Sequence, residues 1–327
     1  MTTPAPLTTP LRDPGDLIAA VPHLLGFHPC DSVVVVLVEG SAVAMTLRAD
    51  LPPPQHTRRA VEQLLPALSR QAGATAVVVV VGGPRPDPPE RLPREDLITH
   101  LGAAFDAVGI RLACAVWTQA AEKGTPWFDY WDLGSAGTTP DPRGTALAAA
   151  SAAMGFVTYP SRDAMVQVLA PAPEQVLARR SEALDRLVAE SQAVPPRDAA
   201  RHGRALVHQA VTAAADRKTP LTDEEVVLLA HALSDPWVRD ASLSYAVGEH
   251  AIGAERLWTE LTRACPPPER AEPATLLAFS AYLRGEGALA AAALERAQQA
   301  HPGHRLATLL RTALESGIPP ERIRELC

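Results

Sequence analysis

The chain has 327 residues, 47% apolar and 20% charged, with a net charge of −7. That is enough apolar material for two cores of ordinary size, and it excludes a disordered polyelectrolyte. The acidic balance and the lack of any run of five basic residues withhold the electrostatic footprint of a nucleic-acid binder.

Apolar runs such as Val33–Val38 and Ala74–Val81 are strand-sized and far short of the roughly 20 residues of a membrane-spanning helix. Residues 1–10 carry no positive flank and no apolar stretch, so they are expected to form a flexible leader and not a secretory signal. Arginine dominates the cations, with Lys123 and Lys218 the two lysines. That usage, with abundant Ala and Pro, points to a GC-rich genome. Cys30, Cys114, Cys265 and Cys327 are scattered without metal-finger spacing, which suits a reducing cytosol and no disulfide framework.

In chain order, Asp13 or Asp16 caps a short helix over Leu17–Val21, broken by Pro22 and Gly26. Ser32–Val38 reads as a strand covered on both faces. Glu39-Gly40-Ser41 turns it into a second strand, Ala42–Leu51. A helix over Arg58–Gln71 follows, then a strand over Thr75–Val81 closed by Gly82-Gly83. A helix over Arg94–Val108 leads to a strand over Ile110–Thr118. The aromatic segment Trp127–Asp132 is expected to add an antiparallel strand, mostly as core. A loop over Gly134–Gly144 and an Ala-rich helix over Thr145–Met154 complete a mixed-sheet α/β domain spanning 11–170.

Pro171 and Pro173 mark the boundary, and residues 174–327 read as all-helical. Helices are expected over Glu174–Ser191, Ala199–Ala215 and Asp223–Leu233, with a capping helix over His304–Ser316. Ser242, Ala254, Trp258 and Pro266 recur 36 residues later as Ala278, Ala290, Leu294 and Pro302, so helix-hairpin repeats are expected over about 235–302. Tyr245, Gly285 and Ala297 add to a pattern that resembles the tetratricopeptide repeat. It departs from that repeat at Leu261 and in a period two residues longer. The fold class expected is therefore α+β: a mixed-sheet α/β domain followed by an all-α, tetratricopeptide-like one.

The opening PGDLIAAVPHLLGFHPCDSVVVV and the later TLLAFSAYLRGEGALAAAALERAQQAHPGHRLATLL resemble an actinobacterial family catalogued as domain of unknown function 4192. The resemblance runs from about Leu11 to Leu314. It implies lineage, a cytoplasmic location and a two-part architecture, and it carries over no activity, cofactor or catalytic residue.

The familiar nucleotide-loop, zinc-protease and nucleophile-elbow motifs do not occur, so the chain leans away from an enzyme and implies no cofactor. One candidate ligand site gathers His28, Asp31, Ser32, Arg48 and Asp50 at the mouth of the first two strands, where α/β proteins commonly bind ligands. The bland alternative is that Asp31 or Ser32 satisfies loop amides while Arg48 pairs with Asp50 on an exposed face. His23, His28 and Cys30 do not match metal-ligand spacing. Gly82-Gly83 is weighed as a phosphate cradle against a plain strand-ending turn, and the turn is favoured because a proline-rich loop follows.

The second candidate is a partner groove on the repeats, lined by Arg239, Leu243, Ala246, Thr275, Phe279 and Tyr282, with Arg and aromatic anchors. The leading functional expectation is an interaction or scaffold protein that binds a protein or peptide, with no nucleic acid and no membrane. The alternative is an enzyme or small-ligand sensor at the strand mouth.

Overall fold

The computed structural model describes residues 13–40, 42–83, 91–191 and 196–324. The leader expected over 1–10 and the fourth cysteine, Cys327, lie outside the described residues. Contacts divide the chain into two compact units, Met1–Ala164 and Met165–Cys327. This division falls several residues before the prolines at 171 and 173.

The first unit opens with α1 (Pro14–Leu25), capped by the Asp13 carboxylate, which accepts from the Asp16 N–H at 2.9 Å. Strands β1 (Ser32–Glu39) and β2 (Ala42–Asp50) form the expected hairpin. Then come α2 (Thr57–Leu68), β3 (Thr75–Val81), α3 (Glu95–Ala107), β4 (Arg111–Thr118), β5 (Pro126–Asp129) and β6 (Ala136–Thr138). A short helix, α4 (Ala146–Ala153), follows, and the division between the units falls within the next one, α5 (Arg162–Gln167).

The sheet runs β2-β1-β3-β4-β5-β6, with β3 and β4 parallel and every other pair antiparallel. It is therefore mixed. The β3–β4 crossover passes through α3, while hairpins build both flanks. Sequence reasoning stopped at β5. The short Ala-Gly-Thr run of β6 has no apolar alternation to betray it, and the segment read as loop.

Alternation along the strands sorts the two faces. Val33, Val35, Leu37, Ala76, Val78, Val80, Ala115 and Trp117 pack into a core with Val61 and Leu68 of α2 and Leu97, Leu101 and Phe105 of α3. The other face carries Val34, Val36, Val79 and Val116, all fully buried. There α1 contacts β2 and α4. The continuous β-branched runs of β1 and β3 follow from this double coverage. In the aromatic segment, Trp127 is buried between Gly15 and Gly137, whose missing side chains leave room for the indole. Phe128 stacks on Trp117 with ring centroids 6.1 Å apart. Trp131 lies beyond the strand and is exposed.

The second unit contains α6 (Glu174–Ser191), α7 (Pro196–Ala214), α8 (Asp223–Leu233), α9 (Pro236–Ser242), a 3-10 turn over Leu243–Ala246, and α10 (Ala251–Ala264). It ends with α11 (Ala271–Leu283), α12 (Gly287–Ala300), α13 (Arg305–Glu315) and α14 (Pro320–Arg324). The 36-residue offset holds for the second helix of each pair. Both α10 and α12 have 14 residues, and Ala254, Trp258, Ala290 and Leu294 are fully buried. The first helices differ, because α9 gives way to a 3-10 turn where α11 continues as α-helix.

The helix α11 is the axis of this unit. Along it every residue but Glu272 is buried, and α8, α9, α10, α12, α13 and α14 all contact it. A helix apolar all round has to sit inside a bundle.

Candidate functional site

The end of the sheet where β1 begins also holds the end of β2 and the carboxyl ends of β3 and β4. Gly26 stops α1 in the left-handed conformation (φ 78°). Phe27 then bridges to Tyr159, with the His28 N–H donating to the Tyr159 carbonyl at 3.0 Å and the Tyr159 N–H to the Gly26 carbonyl at 2.8 Å. Asp31 turns the chain into β1 with φ 39°, a region that non-glycine residues seldom occupy.

Three of the five predicted residues meet on one face. Arg48 donates through Nε to the Ser32 hydroxyl at 2.9 Å and pairs with Asp50 at 2.7 Å. Its guanidinium lies 5.8 Å from the centre of the Phe27 ring, within cation–π range. The Ser32 hydroxyl in turn donates to the Cys30 carbonyl at 2.5 Å. Arg48 is 15% exposed and Asp50 85% exposed, so the cation is held in the protein and its partner stands in water.

Asp31 and His28 turn elsewhere. The Asp31 carboxylate accepts from the Gly83 N–H at 3.3 Å, and Gly82 lies so close that a Cβ there would come 2.5 Å from that carboxylate and 2.8 Å from the Asp31 nitrogen. The Gly82 N–H is taken by the Thr118 carbonyl at 3.0 Å. Both glycine amides serve strand-to-strand contacts, so this is a strand-ending turn and not a phosphate cradle. His28 is half-buried toward the loop after β4. Burial holds its imidazole below the ordinary value, His23 and Arg143 add to that, and the Glu122 charge and a backbone hydrogen bond with Ala121 oppose it.

Sequence reasoning missed Glu122, Arg143, Thr158 and Tyr159, and it considered His23 as a metal ligand alone. His23 instead contacts the Thr158 hydroxyl and the Pro142 carbonyl, each at 2.9 Å. The separations of 135 and 119 residues left no local pattern to find. Chemically, a neutral imidazole beside a carboxylate can accept a proton, and a sheltered guanidinium can hold an anionic group once Asp50 moves aside. Removing the Glu122 charge should lower the His28 midpoint further. An NMR titration of Glu122→Gln that leaves the midpoint in place, or raises it, would contradict the arrangement.

Among the described residues no group of three or more His, Cys, Asp or Glu is placed to hold a metal ion. No described helix is long and apolar enough to cross a membrane.

The predicted partner groove is occupied by the chain itself. Thr275 is fully buried, donates to the Ala271 carbonyl at 2.6 Å and lies 3.4 Å from His304 Nδ1. Phe279 is buried, and the Tyr282 hydroxyl donates to the Ile318 carbonyl at 2.7 Å. Arg239 pairs with Asp240 at 2.8 Å and with Glu272 at 3.4 Å, while His304 Nε2 meets Glu272 at 3.0 Å. Leu243 is half-buried at the 3-10 turn, and Ala246 is buried. The α13 and α14 helices, which follow the repeat, pack against α11 and close the groove.

The surface of this unit lies elsewhere. Trp237 at the start of α9 is 80% exposed and Ile252 at the start of α10 is 69% exposed. Val247 is exposed as well. His208, Tyr245 and His250 form a ring cluster with centroids 5.5–6.0 Å apart.

A mixed six-stranded sheet flanked by helices, followed by a unit made of helices, defines an α+β protein. The chain belongs to the family described as domain of unknown function, DUF4192, whose model matches residues 14–321. No curated protein and no solved structure matches the chain.

Proposed function

We propose that this is an interaction or scaffold protein that binds a protein or peptide partner through its helical unit, at the corner formed by α9, the 3-10 turn and α10. The observation that carries this reading is Trp237, exposed over 80% of its surface, with Ile252 exposed over 69%. Tryptophan is among the residues most enriched at binding hot spots, and a contiguous exposed apolar patch marks an interaction surface. The recurrence of α10 as α12 supports a tetratricopeptide-like origin for the unit. The free thiols of Cys30, Cys114 and Cys265 suit a reducing compartment, and the reading places the protein in the cytoplasm of an actinobacterium.

The test compares the wild-type chain with a Trp237→Ala/Ile252→Ala variant, both purified gently from an actinobacterial host and weighed by native mass spectrometry. These side chains are exposed, so the fold is expected to survive, as circular dichroism would verify. A polypeptide bound to wild type and lost from the variant supports the reading. Undiminished binding to the variant removes this corner as the docking face.

A second reading, an enzyme or small-ligand sensor at the sheet end of the first unit, draws on the half-buried His28 beside Glu122. A small molecule retained by His28→Ala as well as by wild type would argue against it.

A further inference from the structure

The two edges of the sheet are finished differently. At one, β6 is three residues long, and a short edge strand offers little for another chain to pair with. At the other, β2 runs for nine residues as AVAMTLRAD, with no proline and no lysine. Its register to β1 skips Ala44, a bulge that guards the hairpin end. From Met45 to Asp50 the pairing is regular. The one cation of the strand, Arg48, is no guard, because its side chain turns inward to Ser32 and is 15% exposed.

The ladder fixes which backbone groups stay open. The Leu51 N–H donates to the Asp31 carbonyl at 2.8 Å, while Ala49 faces Val33, Leu47 faces Val35 and Met45 faces Leu37. Antiparallel pairing alternates, so Met45, Leu47 and Ala49 bond to β1, and Thr46, Arg48 and Asp50 turn their N–H and C=O groups outward. Among the described residues no backbone hydrogen bond takes these groups up. The core is unfinished along the same line. Val33, Val35 and Leu37 are at most 2% exposed, whereas their partners Ala49, Leu47 and Met45 are half-buried, and no residue of β2 is buried.

We propose that β2 is the pairing edge for a second copy of this chain, which runs antiparallel about a two-fold axis at Arg48 and continues the sheet through both subunits. In that register Thr46 lies opposite Asp50 of the second copy, Arg48 opposite Arg48, and Asp50 opposite Thr46. Every outward N–H and C=O of the regular stretch then finds its counterpart. The charges match as well. Asp50 is 85% exposed and pairs with Arg48 at 2.7 Å, and across the axis each aspartate sits diagonal to the arginine of the other copy, within reach of a long side chain. Two arginines and two aspartates alternate on one face, whereas a parallel arrangement would set each charge beside its like. This edge belongs to the first unit and stands whether or not the α9–α10 corner binds a partner.

The test is sedimentation velocity of the full chain over a dilution series. Wild type should be a concentration-dependent dimer. Thr46→Pro removes an outward N–H and sets a ring on the edge without breaking a bond to β1, a place where a strand tolerates proline. It should keep the circular dichroism of wild type and weaken the dimer by about tenfold or more. Thr46→Val, which keeps the N–H, should dimerise as wild type does, and so should Trp237→Ala/Ile252→Ala. Should Thr46→Pro fail to fold, Thr46→Lys, the charged guard that this edge lacks, decides in its place. A wild type that stays monomeric throughout overturns the proposal, as does a folded Thr46→Pro that dimerises as strongly as wild type. Loss of the dimer in Trp237→Ala/Ile252→Ala would move the contact to the helical unit and overturn it too. A monomer that instead retains a foreign polypeptide, lost from Thr46→Pro, gives the edge to another protein and overturns the second copy as its occupant.

Discussion

Replacing Gly253 with alanine is expected to cost the helical unit about 3 kcal/mol, a drop of roughly 6–12 °C in midpoint for a unit of this size. The sign runs against intrinsic preference, since alanine inside a helix is normally favoured over glycine by about 1 kcal/mol. Gly253 sits in the first turn of α10, where that helix meets α7. A Cβ built there would lie 2.4 Å from the Val211 carbonyl oxygen and 3.5 Å from the Ala215 nitrogen. Both are backbone atoms and cannot rotate away as a side chain would, so the two helices have to separate and their shared apolar surface has to loosen. Gly102 in α3 is the control, because its nearest neighbour to a new Cβ is Leu112 Cδ2 at 3.9 Å. There alanine should gain up to about 1 kcal/mol. Scanning calorimetry of the two variants beside wild type checks the pair. A gain at Gly253 would mean that α7 and α10 do not approach this closely.

The second large effect concerns Glu255 on α10. Burial pushes its carboxyl up to about 7, Arg284 pulls it down, and Glu286 pushes it up again. It is bonded to Arg284 at 2.9 Å and its side chain is 21% exposed, while Arg284 also pairs with Glu286. The folded state therefore holds this proton more tightly than the unfolded chain. Between about pH 4.5 and pH 7 the folded state carries more protons, so each rise in pH favours unfolding, and the loss is complete above the folded pKa. The full amplitude is roughly 3 kcal/mol. Glu255→Gln should remove that slope, and a difference curve against wild type isolates it from other groups. His28, held neutral by burial, acts oppositely, losing stability as pH falls below its ordinary range. A flat difference curve from pH 4.5 to 8 would show that Glu255 titrates as an ordinary surface carboxylate.

Much of the architecture could be read from local pattern. The Thr75–Val81 strand and the Glu174–Ser191 and Asp223–Leu233 helices are found with the expected bounds. Long single-period runs bounded by Pro and Gly leave little freedom. The β6 strand was invisible because three small residues carry no period, and α9 was read as the partner of α11 although its sequence closes into a 3-10 turn after seven residues. The candidate sites were less legible for a different reason. Arg48, Ser32 and Asp50 lie on one hairpin, where register alone brings them together. The charges of Glu122 and Arg143 that act on His28 belong to distant parts of the chain, as does Tyr159, to which the neighbouring Phe27 bridges. For the repeat, position-by-position matching placed Thr275, Phe279 and Tyr282 on a concave face, and nothing local announced that α13 and α14 would fill it.

The helix α11, buried on nearly every side, also sets conditions on synthesis. Its covering comes from helices made before it and from three made after it, out to Arg324. While the chain is growing, α11 leaves the ribosome as a bare apolar rod with half its walls unbuilt, and the Tyr282 hydroxyl has yet to meet the Ile318 carbonyl. Chains halted before α13 would expose that rod, and such surfaces are what holding chaperones bind and what aggregates grow from. The last twenty described residues, although at the edge of the protein, complete its interior.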